Sequence, residues 1–146
     1  TIGGALEGRF LRCPAMAISC VGTKTPLNYA AAAGVTLALF KRLKRYPLQP
    51  GMVLNVNVPS CTLPDLKGIQ ITRQGDRHFP EPLIAREDGR GRRIYWLGPP
   101  GEVKDGNEGT DFHALSQGYA SVTPLQVDMT KHDYIGPLQD WIKRDA

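Results

Sequence analysis

Three consecutive segments decide the fold: Ala15–Val21 (AMAISCV), Pro26–Arg45 (PLNYAAAAGVTLALFKRLKR) and Met52–Val58 (MVLNVNV). The first segment is a short apolar run, which predicts a buried strand. The second predicts a helix, because Thr25 suits the N-cap and Pro26 the first helical position. The third alternates apolar and Asn side chains, as a half-buried strand does. A strand, a helix and a strand in this order predict an α/β domain of the doubly wound type.

Further elements are predicted on both sides of this unit. Residues 1–11 are typical of the end of a closely packed helix, which Pro14 terminates. Gly68–Arg73 alternates as another strand. Leu83–Ala85 and Ile94–Leu97 are expected to pair as a hairpin.

The last part of the chain predicts a short helix, a strand and a tail. Helical turns are expected over residues 112–118 with Asp111 as their N-cap. A strand follows over Tyr119–Val122, and Pro124 is expected to stop it. Gly136 and Pro137 are expected to precede a short amphipathic tail helix.

Composition favours an ordinary globular domain. The 146 residues carry a net charge of +4, with 41% hydrophobic and 22% charged residues. No apolar run approaches the roughly 20 residues that cross a bilayer, so no membrane partner is expected. The three cysteines, Cys13, Cys20 and Cys61, are odd in number and form no C-x-x-C pair. They predict reduced thiols and a cytoplasmic location.

Two basic clusters hold most of the positive charge. Residues 41–45 are most simply the C-terminus of the predicted helix, where cations offset the macrodipole. The cluster from Arg86 to Arg93 is most simply a solvated hairpin loop. Nucleic-acid binding through this loop is a weaker alternative, since the loop lacks interleaved aromatic residues and a known motif.

No catalytic or metal-binding motif stands out in the residues. His78, His113 and His132 are far apart, and no metal site is predicted from their spacing. Asp128 and His132 are four residues apart and would share one face of a helix. A structural ion pair or cap is favoured over a catalytic role for them, because coupled ion pairs are common outside active sites.

Five segments, taken in order, resemble motifs of the SurE (survival protein E) family of metal-dependent nucleotidases. The first is Thr1–Gly8, which matches SGTV-x-A-A-x-E-G from its Thr onward. Three more are Leu54–Pro59 (N-[VI]-N-[VI]-P), Lys67–Gly75 (K-G-[IV]-x-x-T-R-x-G) and Tyr95–Gly98 (Y-W-x-G). The fifth is Gly109–Leu125, through Gly109-Thr110-Asp111, Gly118-Tyr119 and Thr123-Pro124-Leu125. Each motif is weak alone. Five in the right order make the resemblance specific.

The resemblance implies a fold and a domain organisation. The fold is the distal half of a Rossmann-like, SurE-type three-layer α/β sandwich, with a β-hairpin extension and a C-terminal tail swapped between subunits. Residues 1–75 would form the C-terminal part of the Rossmann-like domain. Residues 76–146 would form the β-rich extension, the return strand and the oligomerisation tail.

The resemblance also implies an activity: a metal-dependent 5′/3′-nucleotidase that hydrolyses nucleoside monophosphates and, in some members, short polyphosphate. The divalent cation, Mg²⁺ or Mn²⁺, is held in the family by an Asp-Asp pair, a Ser and an Asn. No position of this sequence matches these ligands, so the metal ligands and catalytic residues are expected N-terminal to this chain. The implied partners are a nucleoside monophosphate and other copies of the chain, as a homodimer or tetramer.

Three residues of this chain match functional positions of the family. Thr1 matches the Thr of the loop beside the phosphate, so the resemblance implies a phosphate-proximal role. Asp128 and His132 match a D-x-T-x-H stretch in the tail that exchanges between subunits. Their implied role is in the geometry of the oligomer.

A function of a different class stays open on the residues alone. These 146 residues lack the carboxylate pair, which favours a non-catalytic interaction or oligomerisation module held together by hairpin and tail exchange. A self-contained module should cover its own strand edges, whereas half of a sheet leaves an edge open for pairing.

Overall fold

The fold is seen in a computed structural model that describes residues 1–23, 25–78, 83–98 and 100–145. The α-helices are α1 (Ile2–Gly8), α2 (Ala30–Arg45), α3 (Asp111–Ser116) and α4 (Ile135–Ile142), and 3₁₀ turns cover Arg9–Leu11, His132–Tyr134 and Lys143–Asp145. The strands are β1 (Ala15–Val21), β2 (Val53–Pro59), β3 (Ile69–Ile71), β4 (Asp76–Arg77), β5 (Ile84–Glu87), β6 (Arg93–Trp96), β7 (Val103–Asp105) and β8 (Ala120–Leu125).

A four-stranded mixed sheet forms the centre of the fold. Its order is β1-β2-β8-β3, in which β1 is parallel to β2, β8 is antiparallel to β2, and β3 is parallel to β8. The parallel pair needs a crossover, and α2 provides it. Strands β4 and β7 form one small sheet, and β5 and β6 form another. The predicted α/β class is therefore confirmed, as are the bounds of β1 and the hairpin β5–β6.

The main core lies between α2 and one face of the sheet. Strand residues Leu54, Val56 and Val58 project to this face, as their alternation predicts. They pack with Ala31, Ala32, Val35, Ala120 and Val122. The Ala-rich first half of α2 lets the helix approach the strands closely, so small side chains fill the interface.

A smaller core lies under α1 on the opposite face of the sheet. Ala5 of α1 packs against Ala17 of β1 and Val53 of β2. Both faces of the parallel pair are therefore covered near the amino ends of β1 and β2, as in other sheets with parallel strands.

The predicted start of α2 is wrong by one helical turn. The helix begins at Ala30, and neither Thr25 nor Pro26 belongs to its first turn. Asn28 explains the difference, because its side-chain Oδ1 accepts a hydrogen bond from the N–H of Ala30 at 3.0 Å. The segment before Ala30 is a loop tied to the end of β2 by a contact between Asn28 and Ser60.

Two predictions about β8 and α3 are also wrong. Strand β8 continues through Pro124, which pairs with Leu54. Strand β3 pairs with β8 only up to Val122, so a proline beyond it lies on a free edge and costs no ladder hydrogen bond. The N-cap of α3 is Thr110, whose hydroxyl accepts from the N–H of His113 at 3.1 Å, and Asp111 is the first helical residue.

The tail differs from its prediction by about one turn. Helix α4 begins at Ile135, so Gly136 and Pro137 lie in its first turn. A proline in the first turn interrupts no helical hydrogen bond. Within the described ranges, no helix is both long and apolar enough to cross a membrane.

Candidate functional site

The carboxyl ends of β1 and β2 lie at the same edge of the sheet. Their register runs from Ala15 opposite Val53 to Val21 opposite Pro59. The N–H of Ser60 then donates to the carbonyl of Val21 at 2.8 Å and closes this edge. In open α/β sheets, ligands bind in the crevice outside the carboxyl ends of the strands. A ligand-binding site is therefore expected at this edge of the sheet.

The loop that follows β1 is fixed to the end of β2. The Ser60 hydroxyl accepts from the N–H of Asn28 at 2.8 Å, and the Cys20 thiol donates to the carbonyl of Asn28 at 3.4 Å. Gly22 lies so close to the same serine that an added Cβ would be 2.8 Å from the Ser60 Cβ. This contact places the start of the loop against the carboxyl edge, and only glycine fits at so close an approach.

Helix α1 brings Thr1 toward this edge. Gly8, at the end of α1, lies beside Ala15 at the start of β1, where an added Cβ would be 3.5 Å from the Ala15 Cβ. Ala5 packs further along the strand, on Ala17. The helix thus runs antiparallel to β1, and its first residues point toward the carboxyl end of the strand. Thr1 is exposed there, and its phosphate-proximal role stays a prediction.

Two of the motifs that carry the family resemblance meet in space. Arg73 donates its N–H to the carbonyl of Gly109 at 3.0 Å and accepts from the N–H of Asp111 at 3.0 Å. The Asp111 carboxylate accepts from the N–H of Gly75 at 2.8 Å. An added Cβ at Gly75 would overlap the Asp105 carbonyl and the ring of Phe112. The Thr-Arg-Gln-Gly and Gly-Thr-Asp segments therefore form one closely packed junction.

Arg73 and Asp105 form an ion pair at this junction. The Arg73 guanidinium binds Asp105 with both nitrogens, Nη1 to Oδ2 at 2.5 Å and Nη2 to Oδ1 at 3.3 Å. The hydrogen bond raises the pKa of Arg73 and lowers the pKa of Asp105. The Arg77 guanidinium lies 4.6 Å from the ring centre of Phe112. The Arg73–Asp105 pair and the backbone hydrogen bonds to Asp111 therefore fix the geometry of the junction.

Asp128 and His132 are in contact, although not on a shared helix. His132 Nε2 lies 2.6 Å from Asp128 Oδ2, and the N–H of Thr130 donates to Asp128 Oδ1 at 2.8 Å. Asp128 precedes the 3₁₀ turn that His132 opens, so a turn brings the two together where the spacing predicted a helix face. Hydrogen bonding from Thr130, and next from His132, lowers the pKa of Asp128 to about 2. Their predicted role in oligomer geometry stays a prediction.

Part of the positive charge of the hairpin loop is paired with Asp88 within the loop itself. Asp88 Oδ2 binds Arg92 Nε at 2.7 Å, and Asp88 Oδ1 accepts from the backbone of Arg90 and Arg92. These backbone hydrogen bonds, together with the side-chain hydrogen bond from Arg92, lower the pKa of Asp88.

The cluster at the end of α2 lies at a helix C-terminus, as predicted, with Arg42, Lys44 and Arg45 in its last turn.

The described residues offer few candidates for metal ligands or nucleophiles. No group of three His, Cys, Asp or Glu side chains there could hold a metal ion. Burial, with smaller contributions from Asp65 and Cys20, raises the pKa of the Cys61 thiol. A raised pKa disfavours the thiolate, so Cys61 is a poor nucleophile at neutral pH. Cys13 is exposed, and Cys20 is half-buried.

Several residues that shape this region were not predicted from the sequence. Ser60 and Asn28 are 32 positions apart, and their contact depends on the register of β1 and β2. Asn two residues before an Ala-rich run was the available local signal, because Asn side chains often bind the backbone two residues on. The buried hydroxyl of Thr72, which lies 2.9 Å from Ser121 Oγ and 2.7 Å from Thr123 Oγ1, gave no comparable signal.

Comparison with known proteins finds relatives along nearly the whole chain. The family described as "Survival protein SurE" matches residues 1–81. The chain is 46% identical over 142 residues to "5′-nucleotidase SurE" of Halorhodospira halophila, covering 97% of this chain and 57% of that protein. It is 45% identical over 144 residues to "5′/3′-nucleotidase SurE" of Klebsiella pneumoniae, covering 99% and 56%.

A solved structure of the same family is also similar to this chain. The crystal structure of the SurE protein from Aquifex aeolicus is 33% identical and superposes with a TM-score of 0.77, covering 97% of this chain and 57% of that one. The chain thus spans little more than half the length of the relatives it matches. These similarities run through the hairpin and the tail, and they do not favour the alternative of a non-catalytic module.

Proposed function

The chain belongs to the SurE family, and on that premise we propose that the full-length protein is a metal-dependent 5′/3′-nucleotidase. Its substrates are nucleoside monophosphates, whose phosphomonoester bond it hydrolyses, and short polyphosphate is a further candidate. The observation that carries the proposal is the 46% identity to a named 5′-nucleotidase over 97% of this chain. The match spans 142 of the 146 residues.

The proposed activity needs a divalent cation, with Mg²⁺ and Mn²⁺ as the candidates. Such a cation polarises the phosphoryl group and favours oxygen ligands. The described residues of this chain contain no group of three His, Cys, Asp or Glu side chains that could hold it. We therefore assign its ligands, and the catalytic residues, to parts of the full-length protein outside these 146 residues.

This chain's own contribution is the carboxyl edge of β1 and β2. Thr1 at the start of α1 is the phosphate-proximal residue of the proposal. The contact between Asn28 and Ser60 holds the loop over the same edge. We keep residues 1–75 as the C-terminal part of the Rossmann-like domain and residues 76–146 as the extension with its tail. A cytoplasmic location is part of the proposal and is supported by three unpaired cysteines.

The tail points to a homodimer or tetramer. Helix α4 buries none of its residues and exposes Ile135, Leu138, Trp141 and Ile142. A cavity of about 380 Å³ lies on the α2 side of the sheet, lined by apolar residues that include Leu39, Leu43, Met52, Leu54, Ile71 and Pro124. The exposed apolar residues of α4 and this apolar groove are both suited to contact with a second copy, with the Asp128–His132 pair setting the direction in which the tail leaves the body.

Phosphate release by the full-length protein tests the nucleotidase proposal. Purified protein with Mn²⁺ or Mg²⁺ is expected to release inorganic phosphate from AMP or GMP. EDTA should abolish the release, and excess Mn²⁺ should restore it. Activity that EDTA leaves unchanged would contradict the metal dependence. A full-length protein without activity on any nucleoside monophosphate would contradict the function itself.

A further inference from the structure

A set of polar side chains lies on the sheet face opposite α2, near the carboxyl edge. Asn55 and Asn57 alternate with Val56 and Val58, which project into the α2 core. The two asparagines therefore project to the other face. Ser19 lies directly opposite Asn57 in the parallel register of β1 and β2. We define Ser19, Asn55 and Asn57 as the polar floor.

The polar floor departs from what a parallel pair of strands normally shows. Parallel strands are usually covered on both faces and read as continuous apolar runs. Here the floor is bounded on one side by α1, which covers Ala17 and Val53. On the other side, Ser121 lies opposite Asn57 and is fully buried. The gap between these two boundaries is where the polar side chains lie.

The floor has hydrogen-bonding capacity that the described part of the chain does not use. All three residues are half-buried, yet their side chains make no hydrogen bond to another described residue. No side-chain nitrogen or oxygen in the described residues is both buried and without a partner, so their polar atoms remain accessible to solvent. By contrast, the adjacent hydroxyls of Ser121 and Thr123 are buried and bonded to Thr72.

From this arrangement we propose that Ser19, Asn55 and Asn57 bind the nucleoside part of the substrate. The inference rests on the proposed nucleotidase function. Amide and hydroxyl groups each offer a donor and an acceptor, which matches the hydroxyls of a sugar and the edge of a base. The floor contains no cation, so it is not suited to the phosphate. Its place beside Thr1 and the carboxyl edge puts the nucleoside next to the proposed phosphate position.

Two substrates separate nucleoside binding from catalysis. The full-length protein with Mn²⁺ is assayed on AMP and on p-nitrophenyl phosphate, which has no nucleoside. Loss of one hydrogen bond in Asn57→Ala should lower kcat/KM for AMP roughly two- to tenfold and leave p-nitrophenyl phosphate unchanged. Ser19→Ala should do the same with less disturbance of the fold. Gln49→Ala removes an exposed amide before the opposite end of β2 and is the matched control, expected to change neither substrate.

Each outcome decides between the inference and its premise. Equal losses on both substrates in Asn57→Ala and Ser19→Ala would overturn the nucleoside assignment, as would no loss on either. A lower melting temperature with an unchanged AMP to p-nitrophenyl phosphate ratio would mean that another segment of the full-length protein covers the floor. That result would also overturn the assignment. A wild-type protein inactive on both substrates would overturn the proposed function itself.

Discussion

The central sheet and the C-terminal tail bury their apolar side chains in opposite ways. Val56 in the sheet is 0% exposed, whereas Trp141 in the tail is 65% exposed. The sheet encloses a core with α2, whereas the apolar residues of the tail helix are exposed and belong to no core cluster of the described residues. The sheet is therefore stabilised within the chain, whereas the tail is suited to contact with a second copy.

The greatest loss of stability is predicted for a charge placed in the core of the sheet. Val56→Asp places a charge in the core between α2 and β2, and should lower the free energy of unfolding by more than about 4 kcal/mol. Leu97→Asp at the end of the hairpin is the matched control. Leu97 is largely exposed, so its change should stay within about 0.5 kcal/mol. Urea denaturation of the full-length protein measures both. Similar losses in the two variants would remove the contrast between regions.

The next effect concerns the tail. Trp141→Asp should weaken self-association of the full-length protein by more than tenfold, because a large aromatic residue at the centre of an interface dominates its energy. The secondary structure of the subunit should stay intact, since Trp141 contributes to no core cluster among the described residues. Sedimentation velocity measures the association, and circular dichroism is the control. A variant that remains as oligomeric as the wild type would show that α4 is not the contact.

The smallest effect is the pH dependence of the Asp128–His132 pair. The pKa of Asp128 is lowered from 3.8 to about 2, so the folded protein favours the ionised carboxylate. The stabilisation is fully present above about pH 4 and is lost as the pH falls toward 2. Asp128→Asn should remove it, so wild type and variant should differ above pH 4 and converge below it. Acid titration of stability checks this, and a difference that stays constant from pH 4 down to pH 2 would contradict the assignment.

Sequence reasoning succeeded where the signal was local and periodic. The bounds of β1 and the alternation of β2 follow directly from their apolar spacing. It failed where a distant contact set the local structure. Helix α2 starts late because Ser60 and the Asn28 side chain hold the preceding loop, and Pro124 stays in β8 because β3 has already ended.

At the candidate site, too, distant contacts were not predicted from the sequence. The motif order indicated the family, yet no spacing indicated that the Arg73 and Asp111 segments would meet. The polar floor needed the register of β1 against β2, because Ser19 and Asn57 are far apart in the chain. The Asp128–His132 contact formed for a reason other than the one predicted, since a turn brings the two side chains together.

Nucleotidase activity is tested by the release of phosphate from AMP by the full-length protein before and after EDTA, with the intact mass determined on the same sample. The proposal predicts a mass above the 16.0 kDa of these 146 residues and a release that stops with EDTA and returns with Mn²⁺. A preparation of 16.0 kDa that releases phosphate, or release that EDTA does not change, would contradict it.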